Sequence, residues 1–183
     1  ITENIANVDS VATSPGGDVV QAHQTADALR RRGLDVDVSS ELEPELSDYD
    51  AVHLFNVVRP HETWRQAANA VRQGRKVLLS TVYCDTAEYD RAGRRALTNL
   101  ATRSLNRDKL EAAKAIGRAV LTREFNRATR GLLTQGYTRL QLELLDLADA
   151  FLPNSRSEMR RLKRDLGIEI AASRIFPVPN GID

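Results

Sequence analysis

Short apolar runs alternate with helical patterns along much of the chain, and this alternation restricts the fold more than any other feature. Apolar runs at 51–55 and 76–80 are typical of parallel strands that are covered on both faces. A helical pattern at 63–73, followed by Gly74, separates the two runs. Because strands that alternate with helices form parallel sheets, the sequence predicts an α/β fold with a doubly wound parallel sheet.

Further elements are expected on both sides of this pair of strands. Ser155 and Glu158 have the spacing of a capping box at the start of a helix, and Gly167 follows the end of that helix at Leu166. The other predicted elements are strands at 5–8, 34–38, 150–153 and 174–178 and helices at 19–32 and 138–148.

A long helical region at 91–148 interrupts the alternation and is predicted to be an insertion in the sheet domain. Its part at 91–130 carries eleven lysine and arginine residues against three acidic residues. Three interpretations stay open: a solvated helix surface, a peripheral contact with a membrane or an anionic acceptor, and nucleic-acid binding. Nucleic acid is not expected, because the basic stretch lacks an interleaved series of aromatic side chains that would stack on bases.

Composition limits the class of protein. The chain has 183 residues, of which 42% are hydrophobic, and is large enough for one sizeable α/β core. Its net charge of +1 gives no overall attraction to nucleic acid or anionic lipid. Cys84 is the only cysteine, which excludes an internal disulfide framework and a cysteine-based zinc site. We expect a cytoplasmic protein, located at the inner face of the membrane if the segment 91–130 binds lipid.

The loop at 14–18 joins the first predicted strand to the first predicted helix and contains two adjacent glycines, Gly16 and Gly17. Glycines allow a tight turn without side chains, and the unpaired N–H groups at the start of a helix bind anions such as phosphate. An ordinary turn is the equally weighted alternative. The loop lacks both the three-glycine dinucleotide spacing and the Gly-Lys-Ser/Thr of a P-loop.

The carboxyl ends of the strands are the expected ligand-binding edge of such a sheet. His61, in a loop at this edge, is equally suited to contacting an acceptor or solvent, whereas His53 lies within a strand and is expected to be a buried structural histidine bonded to the backbone. The candidate site residues at this edge are Gly16, Gly17, Asn56, Arg59, His61, Tyr83, Asn154 and Ser155.

Four stretches, taken in their order and spacing, carry a family resemblance. They are PGGDVVQ at 15–21, YDAVHLFN at 49–56, ADAFLPNS at 148–155 with Glu158, and VPNGID at 178–183. They resemble the N-terminal domain of retaining glycosyltransferases of the GT-B fold, glycosyltransferase family 4. The resemblance covers nearly the whole chain except the basic helical region.

The resemblance implies a domain organisation. Residues 1–178 would form a Rossmann-like, acceptor-side domain, which is one half of a GT-B two-domain enzyme. Residues 179–183 would begin the interdomain linker, with Pro179, Asn180 and Gly181 as the hinge. The family's C-terminal domain, which binds the donor, is absent from this chain, so the chain alone is expected to be inactive.

The resemblance also implies a reaction. Members of the family transfer a sugar from a nucleotide diphosphate sugar to an acceptor with retention of configuration, in polysaccharide, glycolipid or related glycan synthesis. They generally need neither a metal nor another cofactor. Gly16 and Gly17 match the family's loop that approaches the donor phosphates and the acceptor.

Tyr83 marks a departure from the family, because many members have a histidine near the transferred sugar at this point of the chain. Its hydroxyl is expected to bond a sugar, or its ring to pack at the sheet edge. Tyr83 and His61 are the candidates for a catalytic residue, whose identity stays open. Two other functions also remain: a nucleotide-sugar epimerase of GT-B fold, and a non-catalytic module that binds an anion or a nucleotide sugar.

Overall fold

The computed structural model describes residues 17–83 and 136–180, and their fold is α/β, as the sequence predicts. The predicted strand at 5–8, Gly16, the basic segment 91–130 and Gly181 lie outside the described residues. The elements are α1 (Gly17–Arg30), β1 (Ala51–Phe55), α2 (Pro60–Arg72), β2 (Lys76–Ser80), α3 (Tyr137–Leu147), β3 (Ala150–Phe151), α4 (Arg156–Leu166) and a 3₁₀ turn (Ala172–Arg174).

The three strands form one parallel sheet in the order β1-β2-β3. Val52 lies beside Val77, and Leu79 lies beside Phe151. The ladder continues past the strand ends, since the N–H of Asn56 donates to the Ser80 carbonyl at 2.9 Å. The predicted parallel pairing is therefore confirmed, and the carboxyl ends of the three strands meet at one edge of the sheet.

The segment after the 3₁₀ turn runs alongside β3. The N–H groups of Phe176 and Val178 donate to the carbonyls of Phe151 and Pro153, each at 2.8 Å. Parallel pairing begins at Ile175, because residues 172–174 are coiled into the turn. The strand predicted at 174–178 is thus present as a short paired segment.

The strand predicted at 34–38 is not found among the described residues. Val36 is buried against Ala26 of α1. The Val36 carbonyl accepts from Nε and Nη2 of Arg30, at 2.9 and 2.6 Å, where a strand would use a neighbouring backbone. The alternating pattern at 34–38 therefore reflects packing beside α1.

One face of the sheet forms the main core. Its side chains are almost completely buried because three helices cover it, and α2 also packs against α3. Helix α3 lies in the region 91–148, which was expected to be an insertion, yet it supplies Leu144 and Leu145 to this core. The strand residues on this face are Val52, Leu54, Val77, Leu79 and Phe151.

The opposite face of β1 is turned toward α1. His53 and Phe55 alternate with the core residues of β1, so their side chains point to the other face. They line, with Ala22 and Ala26 of α1, a small cavity of about 10 Å³. The described part of the sheet thus has helices on both sides.

Helix ends follow the sequence signals closely. The Ser155 hydroxyl accepts from the Glu158 N–H at 3.1 Å, which confirms the predicted cap of α4. Gly167 ends the helix in the left-handed conformation, with φ of 65°. Helix α2 begins earlier than predicted, at Pro60, because proline fits the first turn of a helix, where its missing N–H costs no hydrogen bond. None of the helices in the described ranges has the length and apolarity needed to cross a bilayer.

Candidate functional site

The loops after β1, β2 and β3 meet at the carboxyl edge of the sheet, and the start of α1 lies beside them. Gln21 Nε2 donates to Asn154 Oδ1 at 2.9 Å, which joins the second turn of α1 to the loop after β3. Gly17 is the first residue of α1, so the helix begins slightly earlier than the sequence indicates. The sequence-predicted Gly17 and Asn154 are therefore brought to the same edge of the fold.

Asn56 shapes the turn that follows β1. Its φ of 78° lies in the left-handed region, which asparagine tolerates better than most residues. Its side-chain Oδ1 accepts from the Val58 N–H at 2.8 Å. The Thr63 hydroxyl donates to the Asn56 carbonyl at 3.0 Å. Asn56 is buried, and the contacts that surround it hold the loop in place.

Helix α3 supports the same loop from the core side. Tyr137 Oη donates to the Val58 carbonyl at 2.8 Å, and Gln141 Nε2 donates to the Val57 carbonyl at 3.0 Å. These bonds come from residues about 80 positions away, at separations of 79 and 84. The backbone that leads to Arg59 is thus fixed by long-range hydrogen bonds.

His61 and Glu62 stand at the start of α2, close to the end of β1. His61 Nε2 lies 3.8 Å from Glu62 Oε1, and the two side chains are 18% and 14% exposed. Within the described ranges, Glu62 Oε2 is buried without a hydrogen-bond partner. An imidazole next to a carboxylate can bind a hydroxyl group or move a proton. Arg59 lies directly before this helix and is half-buried.

The loop after β2 is strained. Val82 has a φ of 42°, an uncommon angle for a β-branched residue, and such a conformation costs roughly 1–3 kcal/mol. Strain of this kind persists where the surrounding structure determines the backbone, and it is frequent at functional sites. The strained peptide lies between Thr81 and Tyr83, which are both bonded to Glu158.

Glu158 joins two of the three loops. Its Oε1 accepts from the Thr81 hydroxyl and from the Tyr83 N–H, the latter at 2.9 Å, and its Oε2 accepts from the Asn154 N–H at 2.8 Å. The sequence identifies Glu158 as the partner of Ser155 in a helix cap and as part of the stretch at 148–158 that resembles the family. Its long-range contacts have no local signal, because Thr81 is 77 positions away.

Tyr83 packs into the core, although its position at the strand end also suited contact with a sugar. The residue is buried, and its hydroxyl donates to Asp165 Oδ2 of α4 at 2.8 Å. Ser155 is likewise occupied, since its hydroxyl caps α4 and lies 2.9 Å from the Ser157 hydroxyl. Of the candidates in these two loops, Asn154 is the one whose side chain is tied to α1.

His53 is a structural residue in this fold. It is 5% exposed, its Nε2 lies 2.9 Å from the Ser80 hydroxyl, and its ring stacks on Phe55 with the centroids 4.2 Å apart. Burial lowers the pKa of His53 to about 4, so the ring is neutral at pH 7. His53 is thus a buried structural histidine, as expected, but its partner is the side-chain hydroxyl of Ser80 and not the expected backbone group.

No cluster of three histidine, cysteine or acidic side chains suited to a metal ion occurs in residues 17–83 and 136–180. Pro179 and Asn180 are exposed at the end of the described chain. The candidate site therefore consists of the start of α1, Asn154, and the Arg59 to Glu62 stretch.

Comparison of the chain with protein-family models, with curated proteins and with solved structures finds no match.

Proposed function

We propose that the chain is the acceptor-side half of a retaining glycosyltransferase of GT-B fold, which transfers a sugar from a nucleotide diphosphate sugar to an acceptor. The α/β fold with parallel strands supports this proposal, as do the sequence stretches that resemble the family. The observation that carries it is the bond between Gln21 and Asn154, because it holds the start of α1 at the carboxyl edge of the sheet.

The start of α1 has the chemistry to bind a diphosphate. The first N–H groups of a helix have no partner within it, and the helix dipole adds a partial positive charge. Gly17, the first residue of α1, has no side chain, so that a phosphate oxygen can approach its backbone N–H. Gln21 bonds the amide oxygen of Asn154, which leaves the Asn154 amino group as a donor for the same anion.

We assign acceptor binding to the part of the carboxyl edge of the sheet that follows β1. Arg59 and His61 lie after β1, on a backbone that α3 fixes through Val57 and Val58. Charged and imidazole groups on a fixed backbone can orient a hydroxyl of the acceptor toward the donor. In the proposed reaction the protein positions the two substrates and stabilises the charge that develops on the leaving diphosphate, without a metal or another cofactor.

Titration of the 183-residue chain with nucleoside diphosphates and with inorganic pyrophosphate, followed by isothermal calorimetry, tests the phosphate site. Asn154→Asp is nearly isosteric but replaces a donor by a negative charge. We expect it to weaken binding about tenfold or more, since the loss of a hydrogen bond to a charged group costs about 1.5–3 kcal/mol.

Gln24→Glu is the matched control, because it makes the same amide-to-carboxylate change at an exposed position of α1. We expect this variant to bind as the wild type does. An equal loss in both variants, or no binding by the wild type, would contradict the assignment of the phosphate site.

A binding module without catalytic activity is a second candidate. It is favoured by the contacts of Glu158 and Tyr83. The Glu158 carboxylate accepts hydrogen bonds within the fold, and the Tyr83 hydroxyl donates its proton to Asp165, so neither group is available to a ligand. Product analysis after incubation with nucleotide sugars and acceptors separates the candidates. A transferase consumes an acceptor with retention, an epimerase inverts a sugar centre without consuming an acceptor, and a module does neither. Sugar transfer by the 183-residue chain alone would refute the assignment as half of an enzyme.

A further inference from the structure

Helix α4 exposes a row of arginines on the side that faces away from the sheet. Arg156, Arg160 and Arg164 follow each other at four-residue spacing, and all three side chains are exposed. Residues four apart lie on the same side of a helix, so the row extends for about 12 Å along the helix axis. Among the described residues, no carboxylate forms an ion pair with any of the three.

The acidic residues of α4 do not neutralise this row. Glu158 is bonded to the loops after β2 and β3, and Asp165 accepts from the Tyr83 hydroxyl. Both carboxylates are therefore bonded to groups outside the arginine row, although Asp165 is itself exposed. The apolar residues Met159 and Leu162 are buried in the core, so α4 cannot insert an apolar side into a bilayer.

An acidic lipid surface fits this row better than a nucleic acid does. The whole chain has a net charge of +1 and a pI near 8.1, whereas nucleic-acid-binding domains typically have a pI above about 9. The outer side of α4 presents guanidinium groups without aromatic side chains that would stack on bases. Such a row can attract the anionic headgroups of a membrane by charge alone.

We propose that the row of Arg156, Arg160 and Arg164 is a contact surface for an acidic membrane, on an element distinct from the basic segment 91–130. The row begins directly after Ser155, at the carboxyl edge of the sheet. Contact along α4 holds the membrane surface next to the edge at which the ligand site lies. This inference is independent of the proposed transferase activity, because it requires only the charge of α4.

Cosedimentation of the 183-residue chain with lipid vesicles tests the surface. The vesicles contain phosphatidylglycerol and phosphatidylcholine in equal parts, and pure phosphatidylcholine is the neutral reference. We expect binding to the acidic vesicles only, and weaker binding as salt is added. The double variant R160Q/R164Q should bind about 30-fold more weakly, since each basic residue near an anionic surface contributes about fivefold.

Two further variants make the result specific. R31Q/R32Q removes the same charge from exposed positions beyond the end of α1, and we expect it to bind about as well as the wild type. R160K/R164K keeps the charge and should also retain binding. Circular dichroism confirms that each variant is folded.

Three results would overturn the proposal. One is the absence of wild-type binding to acidic vesicles, and another is an equal loss in R160Q/R164Q and R31Q/R32Q. The third is preferential binding of a random-sequence DNA duplex that depends on Arg160 and Arg164, which would assign the row to nucleic acid.

Discussion

Replacing Glu158 by glutamine is expected to destabilise the fold, because one carboxylate holds two loops together. Its two oxygens accept from the Thr81 hydroxyl, the Tyr83 N–H and the Asn154 N–H. Glutamine has one carbonyl oxygen and one amino group in the same space. In either orientation of the amide, the amino group points at a backbone N–H, which then lacks its acceptor.

The magnitude follows from this single lost acceptor. A buried donor without a partner costs about 1–3 kcal/mol, and the bond that is lost was also strengthened by the charge of Glu158. We therefore expect the free energy of unfolding to fall by about 2 kcal/mol. With a urea dependence of about 2 kcal/mol/M for a chain of this size, the unfolding midpoint should fall by about 1 M.

Urea unfolding followed by circular dichroism measures this change, with Glu169→Gln as the matched control. Glu169 is 92% exposed and pairs with Lys163, and an exposed ion pair contributes about 0–1 kcal/mol. Its midpoint should shift by less than about 0.5 M. If both variants shift the midpoint by the same small amount, the carboxylate of Glu158 does not hold the two loops together.

Two further predictions concern pH and backbone conformation. The pKa of His53 is about 4 in the fold against 6.5 when unfolded, so the unfolded state binds more protons between these values. The neutral His53 ring therefore contributes its full stabilisation above pH 6.5. As the pH falls to 4, the free energy of unfolding decreases by about 3 kcal/mol. Between pH 6.5 and 4, the urea unfolding midpoint should fall less steeply with decreasing pH in His53→Gln than in the wild type. The control His23→Gln, at an exposed position, should keep the wild-type slope. Equal slopes in all three proteins would contradict the role of His53 in this pH dependence. Gly167 has a φ of 65°, and a β-carbon added there would meet no atom within 4 Å. Gly167→Ala should therefore lower the free energy of unfolding by about 1–2 kcal/mol through backbone strain alone. A lower midpoint of thermal unfolding measures this loss. Gly167→Asn should cost less, because asparagine tolerates this conformation, and an equal cost for both residues would point to a different cause.

Local signals in the sequence predict the elements well. The apolar runs at 51–55 and 76–80 became β1 and β2 with the same bounds, and the signals at Ser155 and Gly167 became the ends of α4. These predictions hold because caps, turn glycines and compact apolar runs act within a few residues. The alternation at 34–38 was misleading, since burial of Val36 against α1 produces the same pattern as a strand.

The candidate site was only partly predictable. Asn56 and Asn154 do lie at the carboxyl ends of the parallel strands, and the bond from Gln21 to Asn154 brings the start of α1, with Gly17, to the same edge. The sequence did not reveal that Asn56 stabilises its own turn or that the Tyr83 hydroxyl is bonded to Asp165. The strain at Val82 has no sequence signal, because valine is an ordinary strand residue.

The sequence by itself determined the α/β class, the bounds of the central strands and the caps of α4, since these depend on periodicity and on neighbouring residues. The tertiary structure decided which side chains remain for a ligand. Gln21 reaches Asn154 across 133 positions, and Glu158 reaches Thr81 across 77. Contacts at such separations depend on how strands and helices pack in space, and no local pattern of residues encodes them.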